Sequence, residues 1–123
     1  MSKAKPTLFV SPFGHLRYAL ALSKKHMKQL GVSKDEFLSL NTPAQVEFFN
    51  VDNSVLAVVQ INNRKKTKPD WINAIIIHES VHVWQEIREM MYEKEPSSEF
   101  EAYSIQKISL DLMSEFEELS KNG

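Results

Sequence analysis

At residues 70–87 the chain reads DWINAIIIHESVHVWQEI. Apolar side chains occupy nearly every face from Ile72 to Val83, which indicates a helix packed in the core rather than on the surface. Pro69 and Asp70 are typical of a helix start, because proline fits the first turn and an acid is stabilised at the positive end of the helix dipole. The apolar run is too short to span a bilayer. We therefore predict a central helix that begins near these two residues.

This helix contains an HExxH motif formed by His78, Glu79 and His82. Residues four apart lie on one face of a helix, so both imidazoles can bind the same metal ion. Glu79 lies beside that face, where it can reach a water molecule at the metal without being a ligand. The motif predicts a Zn2+ site of the kind found in hydrolases. The structural alternative is a buried helix with two hydrogen-bonded histidines.

A catalytic zinc needs a third protein ligand and an open position for water. A second helix is predicted to begin at Pro96–Ser98 and to run to about Leu119, and two glutamates near its start are candidates. Glu101 shares a helix face with the apolar stripe expected against the core, whereas Glu99 lies roughly on the opposite side. Burial against the first helix therefore favours Glu101.

Glu101 also has a structural interpretation, because Ser98 and Glu101 match the S-x-x-E capping box. In that arrangement the carboxylate caps its own helix and is less free to bind a metal. If Ser97 is the N-cap instead, Glu101 stays available. With the HExxH motif upstream, we expect the ligand role.

The motif and the later glutamate together resemble the gluzincin metallopeptidases, whose third zinc ligand is a glutamate on a later helix. Eighteen residues separate His82 from Glu101, a spacing seen in aminopeptidases of that clan. Residues 78–85 (HESVHVWQ) and 96–106 (PSSEFEAYSIQ) look like small phage-type metallopeptidases, and the chain is similar in size to the single-domain minigluzincins. The resemblance covers roughly residues 70–112.

What the resemblance implies is a zinc-dependent peptidase with His78, His82 and Glu101 as metal ligands. Glu79 would be the general base and then the general acid. Many gluzincins carry an acidic residue one turn after the glutamate ligand, where it orients a zinc-binding histidine. This chain has Ile105 at that position, so the orienting group must come from elsewhere.

Two supporting roles have candidates outside the motif. For orienting a zinc-binding histidine we consider Gln106, Asn73 or a backbone carbonyl. For stabilising the oxyanion that forms during hydrolysis, Tyr103 is the nearest candidate by sequence, followed by Tyr92 and His15. Each of these tyrosines and histidines also has a plain structural interpretation as packing or a capping group.

The whole chain, residues 1–123, is predicted to be one domain, because its length supports one modest core. We expect an α+β, zincin-like fold with a short antiparallel sheet, the HExxH helix and the C-terminal glutamate-bearing helix. A short strand is predicted at Thr7–Val10. Five aromatic residues are predicted to be core rather than substrate pocket: Phe13, Phe48, Phe49, Trp71 and Trp84.

The segment before the motif predicts a helix and a hairpin. Helical periodicity runs from His15 to Leu30, and Gly31 is a good helix stop. Two β-rich segments, Val46–Phe49 and Ser54–Ile61, are joined through a plausible turn at Asp52-Asn53. An edge strand beside the metal helix could hold an extended peptide by backbone hydrogen bonds. The simpler alternative is that the strands only complete the core.

The composition limits the classes of binding partner and the cellular compartment that we expect. The formal net charge is −1, so we expect neither a nucleic-acid nor a membrane partner. Cysteine is absent, which excludes disulfides and thiolate zinc sites. The N-terminus lacks the apolar core of a signal peptide, so we expect a cytoplasmic protein, in the host cytoplasm if it is phage-encoded. The expected partner is a peptide or protein substrate. Because the chain is small, a partner protein or a second copy of the chain is expected to supply further residues that line the substrate-binding site.

Two functional alternatives remain. The chain can be a catalytically weak or inactive metal-stabilised module that binds or regulates another protein, again of phage type. It can also be a metal-free helical adaptor in a phage particle or host-interaction complex. Metal content separates the last alternative from the other two.

Overall fold

The computed structural model describes residues 5–62, 67–92 and 95–121, and these build a four-stranded mixed sheet with helices on both faces. The sheet and the three α-helices are an α+β arrangement, as expected. Short 3-10 turns lie at Pro12–Gly14 and Lys34–Glu36. In chain order the main elements are β1 (Phe9–Val10), β2 (Arg17–Ala21), α1 (Lys24–Gln29), β3 (Ala44–Val51), β4 (Ser54–Ile61), α2 (Pro69–Met91) and α3 (Ser98–Ser120).

The predicted hairpin is present and its turn explains its register. Asp52 and Asn53 both have positive φ, 53° and 63°, the left-handed conformation that a two-residue hairpin turn requires and that these residue types tolerate. Val51 consequently pairs with Ser54, and the antiparallel ladder continues to Ala44. The prediction of two strands joined at this turn is confirmed.

The sheet is mixed rather than antiparallel, which corrects the expected topology. Its strand order is β1-β2-β4-β3. The outer pairs are antiparallel, but β2 runs parallel to β4. The central strands β2 and β4 are therefore joined through a crossover that contains α1 and β3, and β3 is left at one edge.

The predicted helix from His15 to Leu30 is wrong over its first half, where Arg17–Ala21 form β2. This strand is buried on both faces: Tyr18 and Leu20 belong to the core under α2 and α3, and the two alanines belong to the cluster on the opposite face. A strand covered on both faces needs apolar residues at successive positions, so it carries no alternation to distinguish it from a helix. The stop at Gly31 (φ 82°) is confirmed.

Both long helices lie where they were predicted. α2 begins at Pro69 with Asp70 in its first turn, and α3 runs from Ser98 to Ser120. Their apolar stripes meet over one face of the sheet and share a core cluster with Ala57, Val59 and Ile61 of β4. None of the helices in residues 5–62, 67–92 and 95–121 combines the length and apolar content needed to cross a membrane.

A buried polar contact fixes α3 against the sheet. The Tyr18 hydroxyl, on a fully buried side chain, donates a hydrogen bond to Oδ2 of Asp111. Lys107 Nζ contacts both oxygens of the same carboxylate at 2.7 and 2.9 Å. Burial, and then the adjacent carboxylate, raises the pKa of Tyr18, so the phenol stays protonated and remains a hydrogen-bond donor.

The aromatic core prediction is confirmed for Trp84 and in part for Phe49, which is half-buried against the α1 cluster, and it is wrong for three residues. Trp84 is 1% exposed, at the centre of the α2–α3 contact. Phe13 and Trp71, in contrast, are 84% and 64% exposed, and Phe48 is exposed at the sheet edge. Hydrophobicity alone could not separate these residues, because their burial depends on which faces the topology covers.

α1 carries a pH-sensitive contact. The backbone N–H of Leu22 donates to Nδ1 of His26 at 2.9 Å, and burial, with a smaller contribution from Lys25, lowers the pKa of His26 below its ordinary 6.5. The unfolded chain therefore binds the proton more readily, and this contribution to stability is present above pH 6.5 and is lost as the pH falls.

We expect the free energy of unfolding to decrease between pH 7 and pH 5 partly for this reason. In His26→Asn, Oδ1 replaces the Nδ1 acceptor but does not titrate, so the decrease should be smaller. Urea unfolding at several pH values measures how the free energy of unfolding of each protein changes with pH. An equal decrease in the two proteins would show that His26 does not contribute to the pH dependence.

Candidate active site

His78 and His82 lie side by side on the solvent-facing side of α2. Both are exposed, and their ring centroids are 5.0 Å apart with an interplanar angle of 76°. This separation follows from the i, i+4 spacing, which places the second side chain one turn above the first. The two imidazoles are therefore close enough to bind one ion, as the motif predicts.

A glutamine one turn further along the helix orients one of these imidazoles. Nδ1 of His82 lies 2.9 Å from Oε1 of Gln85. With the amide oxygen as its partner, Nδ1 is the donor of this hydrogen bond, and in the neutral imidazole Nε2 then keeps its lone pair. A hydrogen-bond acceptor at one ring nitrogen thus leaves the other nitrogen free for a metal. Gln106 and Asn73, the residues considered for this role, are both exposed.

Glu79 lies in a different environment from the histidines. Its residue is 7% exposed, and its carboxylate has no hydrogen-bond partner among the described residues. Burial raises the pKa of Glu79 above its ordinary value, and the neighbouring His78 and His82 act in the opposite direction. Desolvation is the larger effect, because a charge removed from water without a compensating partner is costly. A carboxyl group with a raised pKa is suited to proton transfer.

A cavity of about 510 Å³ opens between α2 and the edge strand β3. Glu79, His82 and Glu86 line it from the helix, and Val46 and Phe48 line it from the strand. β3 pairs with β4 on one side only within the described residues, so it is an edge strand, and four of its residues line the cavity. The carboxylate of Glu79 is thus reached from solvent beside an edge strand.

Glu101 faces α2, as its helix position predicts, but it contacts a tryptophan. Its Oε2 accepts a hydrogen bond from Nε1 of Trp84 at 2.8 Å. Ser97 is the N-cap of α3, accepting from the backbone N–H of Phe100 at 3.1 Å. The capping-box alternative is therefore not formed, and Glu101 does not cap its own helix. Glu99 is exposed.

Aromatic contacts hold this part of α3 against α2. The ring of Phe100 packs edge-on against Trp84, with centroids 5.6 Å apart, and stacks on Phe13 at 5.4 Å. Trp84 is buried, whereas His78 and His82 are exposed on another side of the same helix. The structure therefore brings Glu101 to α2 but not to the histidine pair.

The oxyanion candidates are not gathered around the motif. Tyr103 is 54% exposed on α3, and its phenol is near enough to Tyr18 to affect the pKa of that buried tyrosine. Tyr92 ends α2 in a left-handed conformation and is 94% exposed. Nδ1 of His15 is buried without a partner in the described structure. None of the three lines the cavity beside Glu79.

The donor set fits a divalent metal in part. Two imidazoles side by side on one helix, with ring centroids 5.0 Å apart, suit zinc. Over residues 5–62, 67–92 and 95–121, however, no three histidine, aspartate or glutamate side chains are placed together to hold a metal ion. No family model, curated protein or solved structure matches this chain. The gluzincin assignment stays a prediction.

Sequence reasoning missed two features of the site. Gln85 lies three residues after His82, a spacing at which helical side chains meet, so the contact could have been anticipated. The exposure of Phe48 could not have been anticipated, because it depends on β3 being the edge strand of the sheet.

Proposed function

We propose that this chain is a zinc-dependent peptidase with a zincin-like fold. His78 and His82 would hold the metal, and Glu79 would transfer protons. The observation that supports this proposal best is the placement of Glu79. The residue is largely buried, while its carboxylate lines an open cavity beside an exposed histidine and has no hydrogen-bond partner among the described residues. A carboxylate in that position can exchange a proton with a molecule in the cavity.

The chemistry of the residues follows from their environment. When bound, zinc would polarise the scissile carbonyl and acidify a nearby water molecule. Because its pKa is raised, Glu79 can take the proton from the attacking water and later deliver it to the leaving amine. The carbon–nitrogen bond of the amide breaks as that amine accepts the proton. Gln85, whose amide oxygen faces Nδ1, would hold His82 in the tautomer that leaves Nε2 unprotonated.

Glu101 is the third ligand that we propose, and the role carries a condition. Its carboxylate must leave the Trp84 N–H, and the start of α3 must move toward the histidine pair. A hydrogen bond to a charged group contributes about 1.5–3 kcal/mol, which metal coordination would have to replace. We also propose Tyr103 as the oxyanion stabiliser, subject to the same movement of α3.

The proposed substrate is a peptide in extended conformation. β3 is an edge strand among the described residues, with one backbone side unpaired, and its residues line the cavity that Glu79 also lines. An extended peptide can add to such an edge by main-chain hydrogen bonds, with alternate side chains pointing toward α2. This arrangement would place a peptide bond beside the proton-transferring carboxylate.

Zinc titration of the metal-free protein tests the proposal. We expect one zinc ion per chain and at least about 100-fold weaker binding in His82→Ala, because a ligand is lost rather than an outer partner. Glu101→Gln should also weaken binding, whereas the matched Glu99→Gln should not. Isothermal titration calorimetry gives the stoichiometry and the affinity. Unchanged zinc binding in His82→Ala would contradict the metal site.

A second candidate function is favoured by the Trp84–Glu101 contact. If Glu101 stays with Trp84, the chain is a metal-stabilised binding or regulatory module with a weak or absent activity. In that case zinc still raises the melting temperature, Glu101→Gln leaves zinc affinity unchanged, and Glu79→Gln leaves the biological activity intact. The same titration therefore separates the two candidates.

A further inference from the structure

The cavity between α2 and β3 is strongly acidic. Among the residues that the structure describes, three carboxylates line it, from Glu79, Glu86 and Glu89, and no lysine or arginine does. The ion pairs found within the described part of the chain, Lys107–Asp111 and Lys121–Glu118, involve none of these carboxylates. Their charge is thus not balanced by neighbouring side chains of the fold that the structure describes.

Glu79 shows that this cavity is more than an acidic stretch of helix surface. Its side chain lines the cavity, its residue is more than nine-tenths buried, and it has no hydrogen-bond partner in residues 5–62, 67–92 and 95–121. Glu86 and Glu89 lie about two and three turns further along α2, and they are three residues apart from each other, a spacing at which like charges destabilise a helix. A cation in the cavity would relieve both the repulsion and the unpaired buried carboxylate.

The opposite wall is suited to a long aliphatic side chain with a charged end. Phe48 of β3 is 39% exposed and Val46 beside it is half-buried, so the strand presents apolar surface to the cavity. Lysine and arginine pack their methylene groups on such surface and keep the charged group at a polar rim. The aromatic ring can also attract the cation directly.

We propose that this cavity is a subsite for a lysine or arginine side chain of a peptide aligned along β3. The inference rests on the proposed peptidase function and specifies its substrate class. His82 lines the same cavity, so the bound cationic residue lies next to the position where the peptide bond is cut. Glu86 and Glu89 are specificity-determining residues, and Glu79 serves both the subsite and the reaction.

Matched blocked tetrapeptides that differ at one central position test the subsite. Lysine, norleucine and glutamate are compared there, because norleucine keeps the aliphatic chain without the charge. We expect kcat/KM to be at least about tenfold higher for lysine than for norleucine, and lowest for glutamate, with a preference that declines as salt is added. The double variant Glu86→Gln/Glu89→Gln should lose the preference, and Glu36→Gln, an exposed glutamate on another part of the fold, should keep it.

Binding without turnover separates failure of the subsite from failure of the enzyme. The same peptides are titrated into the metal-free parent protein while backbone amide shifts of β3 and α2 are followed. Preferential lysine binding without any cleavage would support the subsite and overturn the peptidase function. Equal cleavage of lysine and norleucine peptides would overturn the subsite alone. Binding of n-butylamine as tight as that of the lysine peptide would overturn the assignment of the cation to a peptide.

Discussion

Replacing Glu79 with glutamine should reduce peptide hydrolysis by about 10²–10⁴-fold, the usual contribution of a general base, while zinc remains bound. The amide keeps the shape of the side chain but cannot accept the proton of the attacking water. Because His78 and His82 are untouched, the zinc affinity should stay within a few-fold of the parent. The measurement is kcat/KM on a peptide substrate together with zinc content per chain.

The stability of the same variant provides an internal control. Burial raises the pKa of Glu79, so the stabilising state is the protonated one, and stability is lost as the pH rises through the raised value. At neutral pH, Glu79→Gln should therefore be as stable as the parent or more stable. Glu36→Gln should keep full activity. Full activity in Glu79→Gln would remove this residue from the mechanism.

Replacing Trp84 with alanine should lower the free energy of unfolding by about 3–5 kcal/mol, as expected for a fully buried aromatic residue. The side chain fills the contact between α2 and α3, packs edge-on against Phe100 and donates its N–H to Glu101. Its removal leaves a cavity and an unpaired carboxylate. Urea unfolding followed by circular dichroism measures the change.

Trp71→Ala is the matched comparison, because it removes the same side chain from an exposed position on the same helix. A surface substitution usually changes stability by no more than about 0.5 kcal/mol. Similar losses in the two variants would mean that Trp84 does not hold α3 on α2. A small loss in Trp84→Ala alone would show that the neighbouring side chains close the cavity.

The elements with strong local signals could be predicted from the sequence. Pro69 and Asp70 mark the start of α2, the apolar stripe of α3 runs to its end, and Asp52-Asn53 specifies the hairpin turn. Each of these signals acts through a few neighbouring residues. They therefore do not depend on how the chain is folded elsewhere.

Features set by the topology were not predictable in this way. The sequence of β2 predicts a helix because a strand buried on both faces lacks alternation, and alanine and leucine favour helices. The parallel pairing of β2 with β4 made the sheet mixed. That pairing joins segments about 40 residues apart, a relation that no local pattern records.

In the candidate site, too, the features set by local spacing could be predicted and those set by the topology could not. The spacing of His78, Glu79 and His82 places their side chains on one region of α2, and the structure agrees. The position of Glu101 on the inner face of α3 was also predicted correctly. Its partner was not, because the contact with Trp84 depends on how two helices are docked rather than on spacing within either one.

The place of β4 between β2 and β3 has a consequence for the integrity of the molecule. β4 supports the motif helix on one face and the α1 cluster on the other. A fragment starting at β3 would contain the hairpin and both long helices, yet it would leave one edge of β4 without its neighbour and its buried residues uncovered. β2, although far from the motif in sequence, is thus part of the same cooperative unit. The site cannot be separated from β2 as an independent module.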